Sequence, residues 1–322
     1  MHKIAGWSTV TAETKWIISA FFHQLRGTVS KQAKLRPPII EGHTDVLVFL
    51  LLSFILFLFN WALRIFFVEP VAAQLLGKWS TRAKVQKFAQ SSLEMFFYLT
   101  FSSFGAIIVP RQDWFWTPSL WFKEFHSGKM IYISDALKAY YVLYAARYGQ
   151  GLVSLLVEHK RKDFREMALH HFVTVWLIGL SYTYGWTRVG AVVMVLLDPA
   201  DVPLHIAKQF KYVGDVRGGA RKKSCQAAAD FFFMVFMFLF AIMRLGLYPY
   251  VVWTAHRESA PYWKQQIGGR TCIILLYVLL ALQIYWFTLV LRVAIKVITC
   301  GSAEDVRSDD DEDDSSEHKK RK

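Results

Sequence analysis

Apolar residues dominate the chain in seven long runs that are separated by short polar or basic stretches. A transmembrane helix needs about 20 predominantly apolar residues, and each run has roughly that length. The pattern therefore predicts an all-α fold, that of a polytopic membrane protein with about seven transmembrane helices. The predicted spans are residues 45–68, 93–109, 136–157, 167–186, 189–207, 227–250 and 271–299.

Lysine and arginine are distributed unevenly among the loops that join these spans. The first, third and fifth loops carry about twice as many basic residues as the other three. Because cytosolic loops are enriched in Lys and Arg, the C-terminus is predicted to be cytosolic and the N-terminus lumenal. The net charge of +13 is thereby interpreted as a topology signal, and no nucleic-acid partner is expected.

The segments at the two ends of the chain differ in composition from the spans. Residues 1–44 are mixed polar and aromatic and are predicted to be a lumenal tail, and residues 45–86 hold the first span and a basic interfacial segment. Residues 300–322 are acidic, with too few apolar positions to fold, and are predicted to be a disordered cytosolic tail.

The acidic tail contains two short motifs. Ser302 and Ser308 each precede an acidic residue by three positions, a pattern that acidophilic kinases favour. We therefore expect a phosphoprotein, with a merely solubilising acidic run as the alternative. Lys319 and Lys320 stand where dilysine retrieval signals of endoplasmic reticulum membrane proteins carry their lysines, which would require the cytosolic C-terminus.

Four ionisable residues interrupt the fourth and fifth spans: His170, His171, Asp198 and Asp201. Ionisable groups at membrane depth are costly and by default mark a functional site. At a helical rise of about 1.5 Å per residue, His170 and Asp201 both lie roughly 8 to 10 Å below the cytosolic boundary. A tight turn makes the two helices antiparallel neighbours, so the sequence predicts that these groups meet.

Imidazole and carboxylate groups at one depth suit acid–base or covalent chemistry. A carboxylate stabilises a charged imidazole, so such a pair can act as a general base or as an activated nucleophile. Pro199 and Pro203 would loosen the fifth helix around the aspartates, as expected where a helix lines a cavity. The alternative is a buried polar cluster that only locks the helices together.

The segment from His170 to Lys208 closely resembles the longevity-assurance motif of the ceramide synthases, which lies within a larger TLC domain, here residues 87–299. The matching features are the histidine pair, Ser181-Tyr182, the run Thr187 to Gly190, the two aspartates three positions apart, and Ala207-Lys208. The flanking RKDF and the later LYPYVVWTAH and LQIYWFTLVLRV also resemble this family, particularly its fungal-type members.

The resemblance implies a bundle in which six helices surround a central tunnel. It implies transfer of a fatty acyl chain from acyl-CoA to the amine of a sphingoid base in the endoplasmic reticulum membrane, without a metal or cofactor. His170 and His171 would be the catalytic pair, with Asp198 and Asp201 supporting them; which histidine is the nucleophile stays open. The implied substrate-binding positions are Thr174, Ser181, Tyr182, Arg188 and Lys208.

Acyl-CoA, the sphingoid base and membrane lipids are the expected partners, and the resemblance leaves open a small regulatory subunit and a homodimer. The basic segments His159 to Arg165 and Lys208 to Lys223 are placed to hold the phosphates of CoA at the cytosolic face. In the family the loop before the last helix influences acyl-chain choice, and it corresponds here to Trp253 to Gly269.

Leu197 and Ala200 depart from the family pattern, since many members have His and Ser at these positions. One hydrogen-bonding or proton-transferring group is therefore missing. Two other functions remain as alternatives: a translocation-associated or lipid-binding TLC protein without catalysis, and a transporter that relays protons through His and Asp. A di-iron hydroxylase is excluded because its histidines are clustered, whereas the ten here are mostly scattered.

Overall fold

The structure is a computed structural model that describes residues 6–25, 35–36, 44–77, 80–122, 133–157, 164–216, 219–262 and 267–300. The acidic tail and most of the basic turn His159 to Arg165 lie outside these residues. The helices are α1 Trp7–Leu25, α2 Thr44–Leu63, α3 Glu69–Leu76, α4 Arg82–Ile108, α5 Asp135–Val157, α6 Phe164–Thr183, α7 Thr187–Leu197, α8 Asp201–Asp215, α9 Gly219–Phe240, α10 Tyr248–Ser259 and α11 Ile267–Cys300. A short antiparallel pair joins β1, Leu35–Arg36, to β2, Ile133–Ser134.

Several of these helices continue into one another and reach membrane length. A π-helical segment, Arg64–Val68, joins α2 to α3, and a second, Ala241–Leu247, joins α9 to α10. Five stretches of the described chain are long and apolar enough to cross a bilayer: Thr44–Leu76, Arg82–Arg111, Thr187–Asp215, Arg221–Ser259 and Gly268–Ile295. The prediction of an all-α, polytopic membrane protein is confirmed.

The remaining two predicted spans form helices α5 and α6, which are of sufficient length but more polar. Asp135, Lys138 and Arg147 lie on α5, and Arg165 and Glu166 begin α6. The count of seven spans therefore stays a prediction.

Buried apolar residues form two large clusters, and the outer helix faces remain apolar. One cluster is built mainly from α6, α7, α9, α10 and α11, and the other mainly from α1, α2, α4 and α5. Large side chains such as Phe54, Phe231 and Ile274 are exposed on the outer faces of α2, α9 and α11. Contiguous apolar surface of this kind is typical of a face that contacts lipid.

The segment predicted as an N-terminal tail contains helix α1, which packs against α2, α4 and α5. Val10 and Ile17 on α1 are fully buried. The ammonium of Lys138, also fully buried on α5, lies 3.0 Å from a carboxylate oxygen of Glu13 on α1 and 3.5 Å from one of Asp45 on α2. A buried lysine with two carboxylates fixes the first two helices to α5.

The connection between α6 and α7 is a tight turn, as predicted, but it runs from Tyr184 to Trp186 and thus lies before residues 187–188, where the predicted spans had placed it. Gly185 adopts a φ of 75°, a left-handed conformation that glycine tolerates without steric cost. The amide of Trp186 donates to the carbonyl of Ser181 at 2.7 Å. The turn reverses the chain, so α6 and α7 run antiparallel, as expected.

The fifth predicted span is broken between α7 and α8. Pro199 cannot donate a helical hydrogen bond, and its ring clashes with the carbonyl four residues earlier. The chain instead makes a turn in which the amide of Asp201 donates to the carbonyl of Asp198 at 3.0 Å. The predicted loosening of this helix around the aspartates is confirmed.

Candidate active site

A cavity of about 140 Å³ lies within the helical bundle. Its described lining residues come from α4, α5, α6, α7, α8, α9 and α11 and from the breaks in the helices, so predicted spans two to seven all contribute. His170, His171, Asp198, Asp201 and Lys208 line this one cavity. The structure therefore brings together the four residues predicted as catalytic and one predicted to bind substrate.

The two imidazoles form one wall with aromatic neighbours. Their ring centroids are 5.6 Å apart, and His170 lies edge-on to Trp286 of α11 at 5.2 Å. His171 packs directly against Gly151 of α5, where an added Cβ would lie 2.8 Å from its Cε1. Among the described residues, Nδ1 of neither histidine has a hydrogen-bond partner, and both nitrogens are buried.

Tyr148 of α5 connects the imidazoles to the first aspartate. Its ring centroid lies 5.9 Å from that of His170 and 5.5 Å from that of His171. Its hydroxyl donates to Oδ1 of Asp198 at 3.0 Å. Asp198 is 4% exposed, and a buried carboxylate needs such a donor. The tyrosine therefore both satisfies Asp198 and packs against the histidine pair.

Arg244 holds the second aspartate and the broken helix end together. It lies in the π-helical segment between α9 and α10, a local distortion that is frequent at functional sites. Its guanidinium donates to Oδ2 of Asp201 at 2.5 Å and, through Nε, to the carbonyl of Leu197 at 2.9 Å. The break at Pro199 denies that carbonyl its helical partner, so Arg244 replaces the missing donor.

Two further polar groups line the cavity from α4 and α8. Glu94 of α4 is ion-paired with Arg147 of α5 at 2.5 Å. His205, one turn after Asp201, lies 3.0 Å through Nδ1 from the hydroxyl of Ser91 on α4. The carboxylates of the site are thus each held by a hydroxyl or a guanidinium, as charges removed from water require.

The other residues predicted to bind substrate lie elsewhere. Thr174 and Ser181 line a narrow crevice of about 30 Å³ that also contacts His170. The Tyr182 hydroxyl donates to Asp45 at 3.0 Å, and the Arg188 guanidinium donates to the carbonyl of Leu120 at 2.5 Å. Among the described residues, neither Tyr182 nor Arg188 lines the main cavity, and the contacts of both join helices or loops to one another.

Sequence reasoning missed three residues that hold the site: Tyr148, Arg244 and Glu94. Arg244 and Glu94 carried a usable signal, because each is an ionisable residue within a predicted span. Tyr148 carried none, since a tyrosine in an apolar run is ordinary core composition. The sequence predicted that the aspartates would lie beside the imidazoles. Instead, the hydroxyl of Tyr148 donates to Asp198, and the guanidinium of Arg244 donates to Asp201.

Residues 87–292 match the TLC domain family. The chain is 34% identical over 234 residues to ceramide synthase 4 of Mus musculus, which is 72% of this chain and 56% of that protein. It is 28% identical to the sphingosine N-acyltransferase lac1 of Schizosaccharomyces pombe, over 87% of this chain and 72% of the relative. It is 31% identical to ceramide synthase 1 LOH3 of Arabidopsis thaliana, over 73% and 78%.

The extent of these matches differs between relatives. The chain spans about half the length of the mouse protein but more than two thirds of the Arabidopsis protein. The match to the TLC domain covers well over half of this chain. The chain therefore belongs to the TLC-domain family, in its ceramide synthase branch.

Proposed function

We propose that this protein is a ceramide synthase that transfers a fatty acyl chain from acyl-CoA to the amine of a sphingoid base. One observation carries the proposal: two imidazoles and two carboxylates, each held by neighbouring side chains, line a single cavity inside a membrane bundle. The relatives named for this activity support it. Two long-chain substrates that partition into a bilayer suit a site enclosed by lipid-facing helices.

The reaction proceeds in two balanced steps. A nitrogen of one neutral imidazole attacks the thioester carbonyl, a C–N bond forms, the C–S bond breaks, and the leaving CoA thiolate takes the N–H proton of the acylated imidazole. The amine of the sphingoid base then attacks the acyl-imidazole, and the second imidazole accepts the proton that the amine loses. The bond between the acyl carbon and the first imidazole breaks as the amide is released, and the second imidazole passes its proton to the first, so both return to their neutral forms.

We assign the acyl-accepting role to His170 and the proton-accepting role to His171. His170 lines both the main cavity and the narrow crevice, so a carbonyl bound to it would have its alkyl chain directed into the crevice. His171 lies on the other side, against Gly151. Tyr148 contacts both rings and is held by Asp198, which fixes the relative positions of the two imidazoles.

The polar part of acyl-CoA belongs at the end of the cavity marked by Lys208. This lysine lines the cavity, and Lys211, Arg221, Lys222 and Lys223 follow on α8 and α9. Clustered positive charge raises the local concentration of a polyanion such as CoA. We place this end in the cytosol, with a cytosolic C-terminus and a location in the endoplasmic reticulum membrane.

The deciding experiment is N-acylation by the purified protein in lipid nanodiscs, supplied with a sphingoid base and several acyl-CoAs. We expect ceramide from the wild type and none from the His170→Ala, His171→Ala double variant. His23→Ala, an exposed histidine on α1, is the matched control and should keep wild-type activity. Absence of product from the intact wild type would mean either that a further subunit is required or that the protein is a non-catalytic TLC protein.

A second measurement separates the roles of the two histidines. Acyl-CoA without sphingoid base should release about one equivalent of CoA thiol per wild-type protein, because the first step needs no amine. His170→Ala should show no release, and His171→Ala should release CoA but form ceramide slowly. Thiol release that persists in His170→Ala would refute its assignment as acyl acceptor.

A further inference from the structure

The narrow crevice begins at His170 and follows one face of α6. His170, Thr174, Leu177 and Ser181 all line it, and their spacing of four, three and four residues places them on one helical stripe. Eleven residues separate His170 from Ser181, so the stripe is roughly 16 Å long at about 1.5 Å per residue. The crevice therefore leads away from the acyl-accepting nitrogen toward the opposite end of the bundle.

Three tyrosines of α5 form the facing wall. Each hydroxyl is fixed by an acceptor on α7 or at its C-terminal end. The pairs are Tyr148 with Asp198 at 3.0 Å, Tyr144 with the carbonyl of Met194 at 3.4 Å, and Tyr141 with the carbonyl of Thr187 at 2.8 Å. These bonds hold α5 against α7 along the whole length of the crevice.

Tyr141 closes the far end of the crevice. Its hydroxyl lies 3.5 Å from that of Ser181, and Gly190 of α7 packs directly against it. A Cβ at position 190 would lie 3.0 Å from both Ser181 Oγ and Tyr141 Cζ, so a glycine is needed for the ring to occupy this place. Tyr141 is 1% exposed and is packed on both sides.

A second pocket of about 170 Å³ lies on the other side of Tyr141, between α2, α5 and α6. Its lining is largely apolar and includes Phe49, Ala145 and Val175. Tyr141 and Ile178 line both this lateral pocket and the crevice. These two side chains therefore separate the far end of the crevice from the lateral pocket.

We propose that Tyr141 determines acyl-chain length by ending the acyl channel that starts at His170; this inference rests on the proposed function. An extended polypeptide advances by at most about 3.6 Å per residue, which has three backbone bonds, so an extended acyl chain advances by about 1.2 Å per bond. A channel of roughly 16 Å then holds about 14 carbons. The empty crevice has room for little more than a water molecule, so the acyl chain displaces the apolar side chains along it.

Removing the ring of Tyr141 should join the lateral pocket to the channel. In Tyr141→Ala, the ratio of kcat/KM for arachidoyl-CoA over myristoyl-CoA should rise at least about tenfold, because each methylene that gains a buried place is worth about fourfold. Tyr141→Phe keeps the ring and should keep the wild-type ratio. Tyr285→Ala, a half-exposed tyrosine on the outer face of α11, is the matched control.

Thr174→Phe tests the same channel from its near end. Thr174 lies four residues past His170, about 6 Å or five carbons along the channel. A phenyl ring there should abolish use of myristoyl-CoA while hexanoyl-CoA remains a substrate. If Tyr141→Ala fails to fold, this variant decides the question alone.

The outcomes separate the inference from the function on which it rests. A wild type that forms no ceramide would overturn both. If the wild type is active but folded Tyr141→Ala has the same chain-length profile, the channel alone is overturned. If Tyr141→Ala does not fold, an unchanged profile in Thr174→Phe has the same meaning. A shift toward longer chains in the first variant, or toward shorter chains in the second, without any shift in Tyr285→Ala, would establish it.

Discussion

Gly151 is the position where a single methyl group should disable the site without unfolding the protein. An added Cβ would lie 2.8 Å from Cε1 of His171 and 3.2 Å from its Nδ1. Favourable carbon–carbon contacts are about 3.5 to 4.0 Å, so the overlap is roughly 0.7 Å or more. The neighbouring rings of Tyr148 and His170, at 5.5 and 5.6 Å, leave the imidazole few directions in which to move.

Gly151→Ala is expected to lower the free energy of unfolding only slightly and kcat/KM strongly. Alanine is favoured over glycine inside a helix by about 0.5 to 1 kcal/mol, and overpacking costs about 1 to 3 kcal/mol, so the net loss of stability is about 2 kcal/mol or less. A displacement of about 1 Å in a catalytic group lowers the rate about 100-fold. We therefore expect kcat/KM for ceramide formation to fall by about that factor.

Gly179→Ala is the control for this prediction. Gly179 lies within α6 itself, and an added Cβ there would meet no atom within 4 Å. Its kcat/KM should equal that of the wild type. The assay is N-acylation in nanodiscs at several substrate concentrations, with the melting temperature measured for each variant. If Gly151→Ala kept kcat/KM within a few-fold of the wild type, the placement of His171 against α5 would be wrong.

Three further substitutions test the polar contacts. Arg244→Gln should lower the free energy of unfolding by about 3 to 5 kcal/mol, because it removes the buried guanidinium that pairs with the partly buried carboxylate of Asp201; thermal unfolding checks this, and Arg244→Lys should restore little since lysine lacks the planar fork. Tyr148→Phe should cost about 1 to 3 kcal/mol by removing the donor to Asp198 and should also lower kcat, measured under saturating substrates. Lys138→Met should leave two carboxylates facing each other and release α1, so limited proteolysis should cleave α1 in this variant and spare it in the wild type.

The sequence predicted the elements of the fold that depend on local composition. Long apolar runs specified the spans, the short interval between the fourth and fifth spans predicted the tight turn, and Pro199 marked the break beside the aspartates. His170 and Asp201 could be placed at one depth because helical rise is constant. These inferences needed no knowledge of which helices are neighbours beyond the short connection between α6 and α7.

The contacts between distant helices could not be derived in this way. The carbonyl of Leu197 lacks its helical donor because the helix is broken at Pro199. Arg244, which lies between α9 and α10, supplies a donor in its place, so its role depends on the end of α7 as well as on its own segment. Tyr148 stands between the imidazoles and Asp198 through the packing of α5, which no periodicity encodes. The packing of helix α1 was missed because its burial depends on α2, α4 and α5, which are distant in sequence.

The ion pairs of Lys138 join the TLC domain to the helices that precede it in the chain. This lysine lies inside the matched region, residues 87–292, but its carboxylate partners Glu13 and Asp45 precede that region. Removing the partners of a buried charge is strongly destabilising. A protein trimmed to residues 87–292 would lose both carboxylates, so we expect it to be less stable than one that retains α1 and α2.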